Sequence, residues 1–209
     1  MNESLVIAIT GGIGTGKSTV SEMIAAKGLR VISSDNAAKE LMVTDGELKK
    51  RIMAAFGDNF YLPDGTPDKE LIASTVFGDS EESAKSLAKL NSIVHPRVIE
   101  QMIETVERYE KEGDRLIFVE SALTYEAGLE EGFDYIIVVD APEDVCIERV
   151  MKRSGLTVER VKQQINAQMP QSEKVAHADF VIDNSGGLEK LSQSVDFIVT
   201  ILESMVPED

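Results

Sequence analysis

A disulfide framework is closed to this chain, which holds a single cysteine, Cys146, and the same scarcity rules out a multi-thiolate zinc site. Histidine is nearly as rare: His95 and His177 lie far apart, with no metal-ligand spacing. Tryptophan is absent and aromatics make up 5% of residues, so aliphatic side chains must supply the core. Basic residues are few, 21 Lys+Arg against 37 Asp+Glu, leaving a net charge of -16. A chain that repels polyanions overall is unsuited to coating nucleic acid or docking on an anionic membrane, so neither partner is expected. No hydrophobic run is long. Leu5–Ile9 is too short for a signal peptide or a membrane span and lacks a basic stretch before it, so the expected compartment is the cytoplasm.

What the chain does have is 209 residues at 43% hydrophobic content, enough for one sizeable core with room for an inserted subdomain. Leu5–Ile9 reads as an apolar strand entering a glycine loop, Lys17–Lys27 as a helix ending at Gly28, and Arg30–Ile32 as a second strand. Strand, helix, strand opens a parallel α/β sheet. From Asn36 to Glu112 the pattern is helical throughout, with helices expected over Asp68–Val76, Ser80–Val94 and Pro96–Lys111, the last begun by its proline. The sheet resumes with Leu116–Glu120, Tyr135–Asp140 and Phe180–Asp183; helices are expected over Pro142–Arg153, Thr157–Gln168 and Leu188–Glu203. An all-helical block between strands is most simply an insertion.

Gly11-Gly12-Ile13-Gly14-Thr15-Gly16-Lys17-Ser18 satisfies G-x-x-x-x-G-K-[ST], between an apolar strand and an amphipathic helix, the context that gives the pattern meaning. The glycines let successive N–H groups turn inward as a nest for phosphate oxygens, and the following helix adds its N-terminal dipole. Lys17 suits the β- and γ-phosphates, the Ser18 hydroxyl suits Mg²⁺, and Thr19 faces the α-phosphate. ATP with Mg²⁺ is the expected occupant of Gly11, Gly12, Gly14, Thr15, Gly16, Lys17, Ser18 and Thr19. No N-K-x-D string for guanine is present, and Leu116–Glu120 ends in a lone acid followed by Ser121 rather than an acidic pair. Size and layout favour a small-molecule kinase.

The run Thr10–Val20 followed by Val31-Ile32-Ser33-Ser34-Asp35 resembles the dephospho-CoA kinase family. So do Leu90-Asn91-Ser92-Ile93-Val94-His95-Pro96, Ser154-Gly155-Leu156-Thr157, Ile165–Gln168 and Ala178–Asn184, in family order from Leu5 to Leu202. The resemblance implies transfer of the ATP γ-phosphate to the ribose 3′-hydroxyl of dephospho-CoA, and a three-layer P-loop kinase fold with a five-stranded parallel sheet, a helical substrate lobe and a lid. It divides the chain into a nucleotide core (1–35, 113–145 and 175–209), a substrate lobe (36–112) and a lid (146–174), as a monomer or small homo-oligomer. Three positions depart from the family: Ser33 stands for an acid, Ala122 lies where a proline is usual, and Ser154 replaces an aspartate. Other small acceptors, a nucleoside, nucleotide or shikimate, and a nucleotide-dependent switch remain alternatives to that acceptor.

Asp35, just past the second strand, suits either the base that accepts the acceptor's proton or the N-cap of a helix over Asn36–Met42; the resemblance implies the base. Arg149 and Arg153, four apart and so on one helix face, suit charge on the transferring phosphoryl, or else pairing with Glu148 or Glu159. Lys174 suits phosphate from the far side of the lid, or plain solvation. Glu120 suits a Mg²⁺-bound water or a strand-end structural acid. Tyr125 suits a base or the pantetheine arm, or a half-buried core position, and His95 a structural hydrogen bond or a substrate contact.

Overall fold

The computed structural model describes residues 4–76 and 80–206. Its strands are β1 (Leu5–Thr10), β2 (Arg30–Ser33), β3 (Leu116–Glu120), β4 (Tyr135–Asp140) and β5 (Phe180–Asp183). Its helices are α1 (Lys17–Ala25), α2 (Ser34–Thr44), α3 (Gly46–Phe56), α4 (Lys69–Val76), α5 (Glu81–Glu112), α6 (Glu143–Ser154), α7 (Val158–Asn166), α8 (Gln171–Ala176) and α9 (Leu188–Met205). The chain divides into two compact units, Met1–Ser33 with Val106–Asp209, and Ser34–Thr105.

The first unit carries the whole sheet, ordered β2-β3-β1-β4-β5 with every pairing parallel. The expected α/β architecture is therefore present. Alternation along β1 sets the layers: Ile7 and Ile9 join Val20 and Ile24 of α1 and Leu191, Val195 and Leu202 of α9 in one cluster. Ala8 instead joins Ile136 and Val138 in a second cluster, against which Tyr125, Phe133 and Val175 pack. Since side chains alternate with period two, a one-residue slip of β1 would move both isoleucines out of the first cluster. Each is fully buried, and a buried isoleucine contributes about 1.5–3 kcal/mol. The register aligns Ser33 of β2 with Glu120 of β3, and Glu120 with Ile9 of β1. Chain order reverses about β1, so the loops at the carboxyl ends of the central strands diverge there and leave room for a ligand.

The second unit is helical. Asp45 caps α3, accepting from the N–H groups of Glu47 (3.0 Å) and Leu48 (2.9 Å), and it also takes a 2.8 Å bond from Arg97. The Leu48 bond first, then the guanidinium, holds this carboxyl below its ordinary pKa. Asp68 caps α4 in the same way. A new helix expected at Pro96 does not begin there; α5 runs unbroken through it. A mid-helix proline removes one hydrogen bond and costs about 3 kcal/mol. Leu90, Val94, Val98 and Met102, spaced four apart across the proline, are all buried, and at about 1.5–3 kcal/mol per side chain they outweigh that cost.

Candidate active site

Between β1 and α1 the chain takes turns that a side chain would block. Gly14 (φ 83°) lies against α6, where a Cβ would sit 2.6 Å from the Cys146 carbonyl oxygen. Gly16 (φ 96°) leads into α1, and a Cβ there would fall 2.2 Å from Asn184 Nδ2. Helix α1 has no side-chain cap and no acid in its first turn. The backbone N–H groups of Gly14, Gly16, Ser18 and Thr19 bond to no group among the described residues. A helix start with open N–H donors suits an anion.

The carbonyls of Gly12, Gly14 and Thr15 and the N–H groups of Gly12 and Ile13 are held by neighbouring groups. Asn184 Nδ2 donates to Thr15 O (2.7 Å) and Thr15 Oγ1 to Gly12 O (2.9 Å). Arg149 NH2 donates to Asn184 O (2.9 Å), while its NH1 lies 3.4 Å from Thr15 O and 3.5 Å from Gly14 O. Lys17 Nζ donates to Gly12 O at 3.2 Å. On the other side, Gln171 Oε1 accepts from Gly12 N (2.8 Å) and Gln168 Oε1 from Ile13 N (2.9 Å). Gly12, Ile13, Cys146, Ile165, Gln168 and Gln171 help to line a cavity of about 400 Å³. Burial pushes the Cys146 thiol above its ordinary pKa, against a smaller opposing effect of Arg149, so it sits there as a neutral, apolar group.

Ser18 Oγ donates to Glu120 Oε1 at 2.8 Å, so the two residues expected at a metal lie side by side beside the loop. Among the described residues no group of three or more His, Cys, Asp or Glu comes together as a metal site. Mg²⁺ suits this arrangement, because it keeps several waters and takes only one or two protein oxygens when phosphate oxygens supply the rest.

The other expected residues divide. Arg149 reaches the loop; Arg153, one turn further along α6, is exposed and bonds to nothing among the described residues. Lys174 is not solvated: its ammonium is fully buried, bonded to Glu126 Oε1 (2.6 Å) and Ala122 O (3.0 Å), and Glu126 neutralises its charge. Asp35 is exposed and is not an N-cap; α2 begins one residue earlier, at Ser34, placing Asp35 within the first turn. Its carboxylate accepts no bond among the described residues. Tyr125 packs on the sheet, its ring centroid 6.1 Å from that of His177, with a buried hydroxyl that has no partner among the described residues; burial first, then Asp179 and Glu130, raise its pKa. His95 is half-buried in α5, and burial lowers its imidazole pKa.

Reasoning from sequence passed over Asn184, Gln168 and Gln171 as contacts of the loop. Asn184 had a usable signal, since it follows β5 at the carboxyl edge of the sheet, where α/β ligands bind. Gln168 lay in a segment, Ile165–Gln168, that carries the family resemblance; Gln171 had no such signal.

Comparison with known proteins agrees with this geometry. A family model for dephospho-CoA kinase matches residues 5–190. A dephospho-CoA kinase of Listeria monocytogenes is 40% identical over 189 residues, covering 90% of this chain and 92% of that protein. One from Chlorobaculum tepidum is 37% identical over 206 residues, covering 97% of each. A solved Thermus thermophilus protein superposes with a TM-score of 0.76 at 33% identity, covering 96% of this chain and 98% of that one. The loop, the sheet that carries it and these matches agree: the chain belongs to the dephospho-CoA kinase family.

Proposed function

We propose that this chain transfers the γ-phosphate of ATP to the 3′-hydroxyl of dephospho-CoA, giving CoA and ADP. The observation that carries the reading is the set of open N–H groups at Gly14, Gly16, Ser18 and Thr19 beside the Ser18–Glu120 pair, in a member of this family. The triphosphate lies along those donors, and Lys17 leaves the Gly12 carbonyl for the β- and γ-oxygens. The Ser18 hydroxyl and Glu120 would hold Mg²⁺, which when bound would supply positive charge to offset that of the phosphates.

Asp35 accepts the proton of the 3′-hydroxyl as that oxygen forms its bond to the γ-phosphorus; the bond to the bridging oxygen breaks and ADP leaves. Its free carboxylate suits the role. Arg149 and Arg153 stabilise charge on the transferring group, Arg149 from its seat beside Thr15 and Arg153 from solvent. Residues 36–112 hold the acceptor, with His95 as a contact, and 146–174 act as the lid that excludes water, a competing acceptor. Tyr125 serves through its ring, which is only partly buried and suits a base or the pantetheine arm. Lys174 serves by anchoring residues 168–174 rather than by touching phosphate. A lone, free and buried thiol suits work in the cytoplasm.

The test is coupled ADP release with and without dephospho-CoA, with the product's 3′-phosphate located by NMR. Release indifferent to the acceptor would sink the proposal. Asp35→Asn should keep nucleotide affinity while cutting turnover by roughly 10²–10⁴; full turnover removes Asp35 from the mechanism.

A further inference from the structure

The open donors lie on Gly14, Gly16, Ser18 and Thr19, and the half of the loop before them has a different set of bonds: Gly12, also expected at the nucleotide, has its N–H taken up by Gln171. The Gln171 amide makes three hydrogen bonds, using its oxygen and both of its N–H groups. Its Oε1 accepts from Gly12 N at 2.8 Å, and its Nε2 donates to Val139 O and Asp140 Oδ1, each at 3.0 Å. One amide thus joins the loop to the carboxyl end of β4, the strand next to β1. These bonds fix which way round the amide lies, because reversing it would set an NH₂ against the Gly12 N–H and an oxygen against two acceptors.

Residues around Gln171 are held as firmly. Met169 N donates to Glu126 Oε1 at 3.0 Å, and Lys174 is buried against Glu126 and Ala122. The stretch from Gln168 to Lys174 is therefore fastened to β4, to the segment after β3 and to the loop. Gln168, by contrast, reaches the loop by one bond, to Ile13 N.

We infer that Gln171 is a positioning residue for phosphate transfer: by bridging Gly12 to the end of β4 it fixes the entry half of the phosphate loop, so the open donors of Gly14, Gly16, Ser18 and Thr19 stand pre-arranged for the triphosphate. The inference rests on the proposed ATP-dependent activity. Its physical basis is that donors aimed before the ligand arrives need no reorganisation at the transition state, and that displacements near 1 Å are costly to rate. It makes Gln171 the principal brace and Gln168 the lesser one.

Two substitutions test it. Gln171→Leu removes all three bonds at similar volume. It should lower kcat/KM for ATP by roughly 10- to 100-fold, with a smaller loss for Gln168→Leu. Gln171→Glu keeps the acceptor for Gly12 N but turns a charged oxygen toward Val139 O and Asp140, with the Glu143 carboxylate also at that cavity and the Lys17 ammonium on the far side of Gly12. Protonation restores a donor. Activity of Gln171→Glu relative to the parent should therefore climb about 5-fold or more as pH falls from about 8 to about 6, while the same ratio for Gln171→Leu stays flat.

The recovery occurs within one folded protein, which a simple folding defect would not produce; circular dichroism at both pH values verifies the fold. Loss of thermal stability in Gln171→Leu with kcat and KM unchanged would overturn the inference, as would a pH-independent ratio for Gln171→Glu. Calorimetric titration with Mg·ADP separates this from the proposed reaction. If the parent ignores dephospho-CoA, the acceptor assignment fails, and the brace is still judged by whether Gln171→Leu binds ADP about 10-fold more weakly or equally well.

Discussion

Deleting either member of the Lys174–Glu126 pair should destabilise the chain, and the two deletions should differ. The Lys174 side chain is 0% exposed, whereas that of Glu126 is 20% exposed. Glu126→Ala strands an ammonium with only the Ala122 carbonyl to accept from it, in a place water does not reach. Breaking a buried pair from the side that leaves a shielded charge costs about 3–5 kcal/mol. Lys174→Met keeps most of the buried stem, and the carboxylate it frees still accepts from Met169 N and can turn to water, so the cost falls to about 1–2 kcal/mol. Replacing both, as Lys174→Met with Glu126→Leu, should return stability to within about 1 kcal/mol of the parent. Urea denaturation followed by circular dichroism reads these differences as shifts in midpoint. In a thermal scan they correspond to losses of roughly 6–20 °C and 2–8 °C at 2–4 °C per kcal/mol. If Lys174→Met proves as damaging as Glu126→Ala, the lysine is not the shielded partner and the reasoning is wrong.

Gly14→Ala should destabilise by about 2 kcal/mol or more, since it combines a left-handed backbone with a Cβ 2.6 Å from a main-chain oxygen, and Mg·ADP titration should show binding lost. Tyr125→Phe removes a buried hydroxyl without a partner among the described residues and should raise stability by up to about 1 kcal/mol in the same denaturation assay; a rise in KM for dephospho-CoA would separately report contact with the acceptor. Burial depresses the His95 pKa, so its contribution to stability is complete above the unfolded value of about 6.5 and is lost as pH falls through the lower folded value. His95→Gln should accordingly flatten the decline of the urea midpoint just below that pH, and an unchanged slope would show that the ring gains nothing by staying neutral.

The strands were legible because each is a short apolar run bounded by turn residues: β3, β4 and β5 have the bounds their composition suggests, and β1 and β2 each continue one residue further. The loop was equally plain, since glycine spacing is a local signal. Pro96 misled because its penalty is local, whereas the buried stripe that overrides it shows only across the whole of α5. Lys174 and Gln171 lay beyond reach for a different reason. Nothing near them in the chain records Glu126, 48 residues earlier, or Gly12, 159 residues earlier. Polar groups that serve a site from a distance look, in sequence, like any solvated lysine or glutamine.

The pairing of β1 with β3 and β4 bears on how the chain comes to be made. Leu5 meets Leu116, and Ile7 meets Tyr135, so the central strand has no neighbour until more than a hundred further residues have been synthesised. At about 5–20 residues per second the ribosome needs on the order of ten seconds to deliver them. Throughout that interval a sticky aliphatic segment trails in solvent with no partner strand to pair with, the stage at which a nascent polypeptide most needs a chaperone's cover.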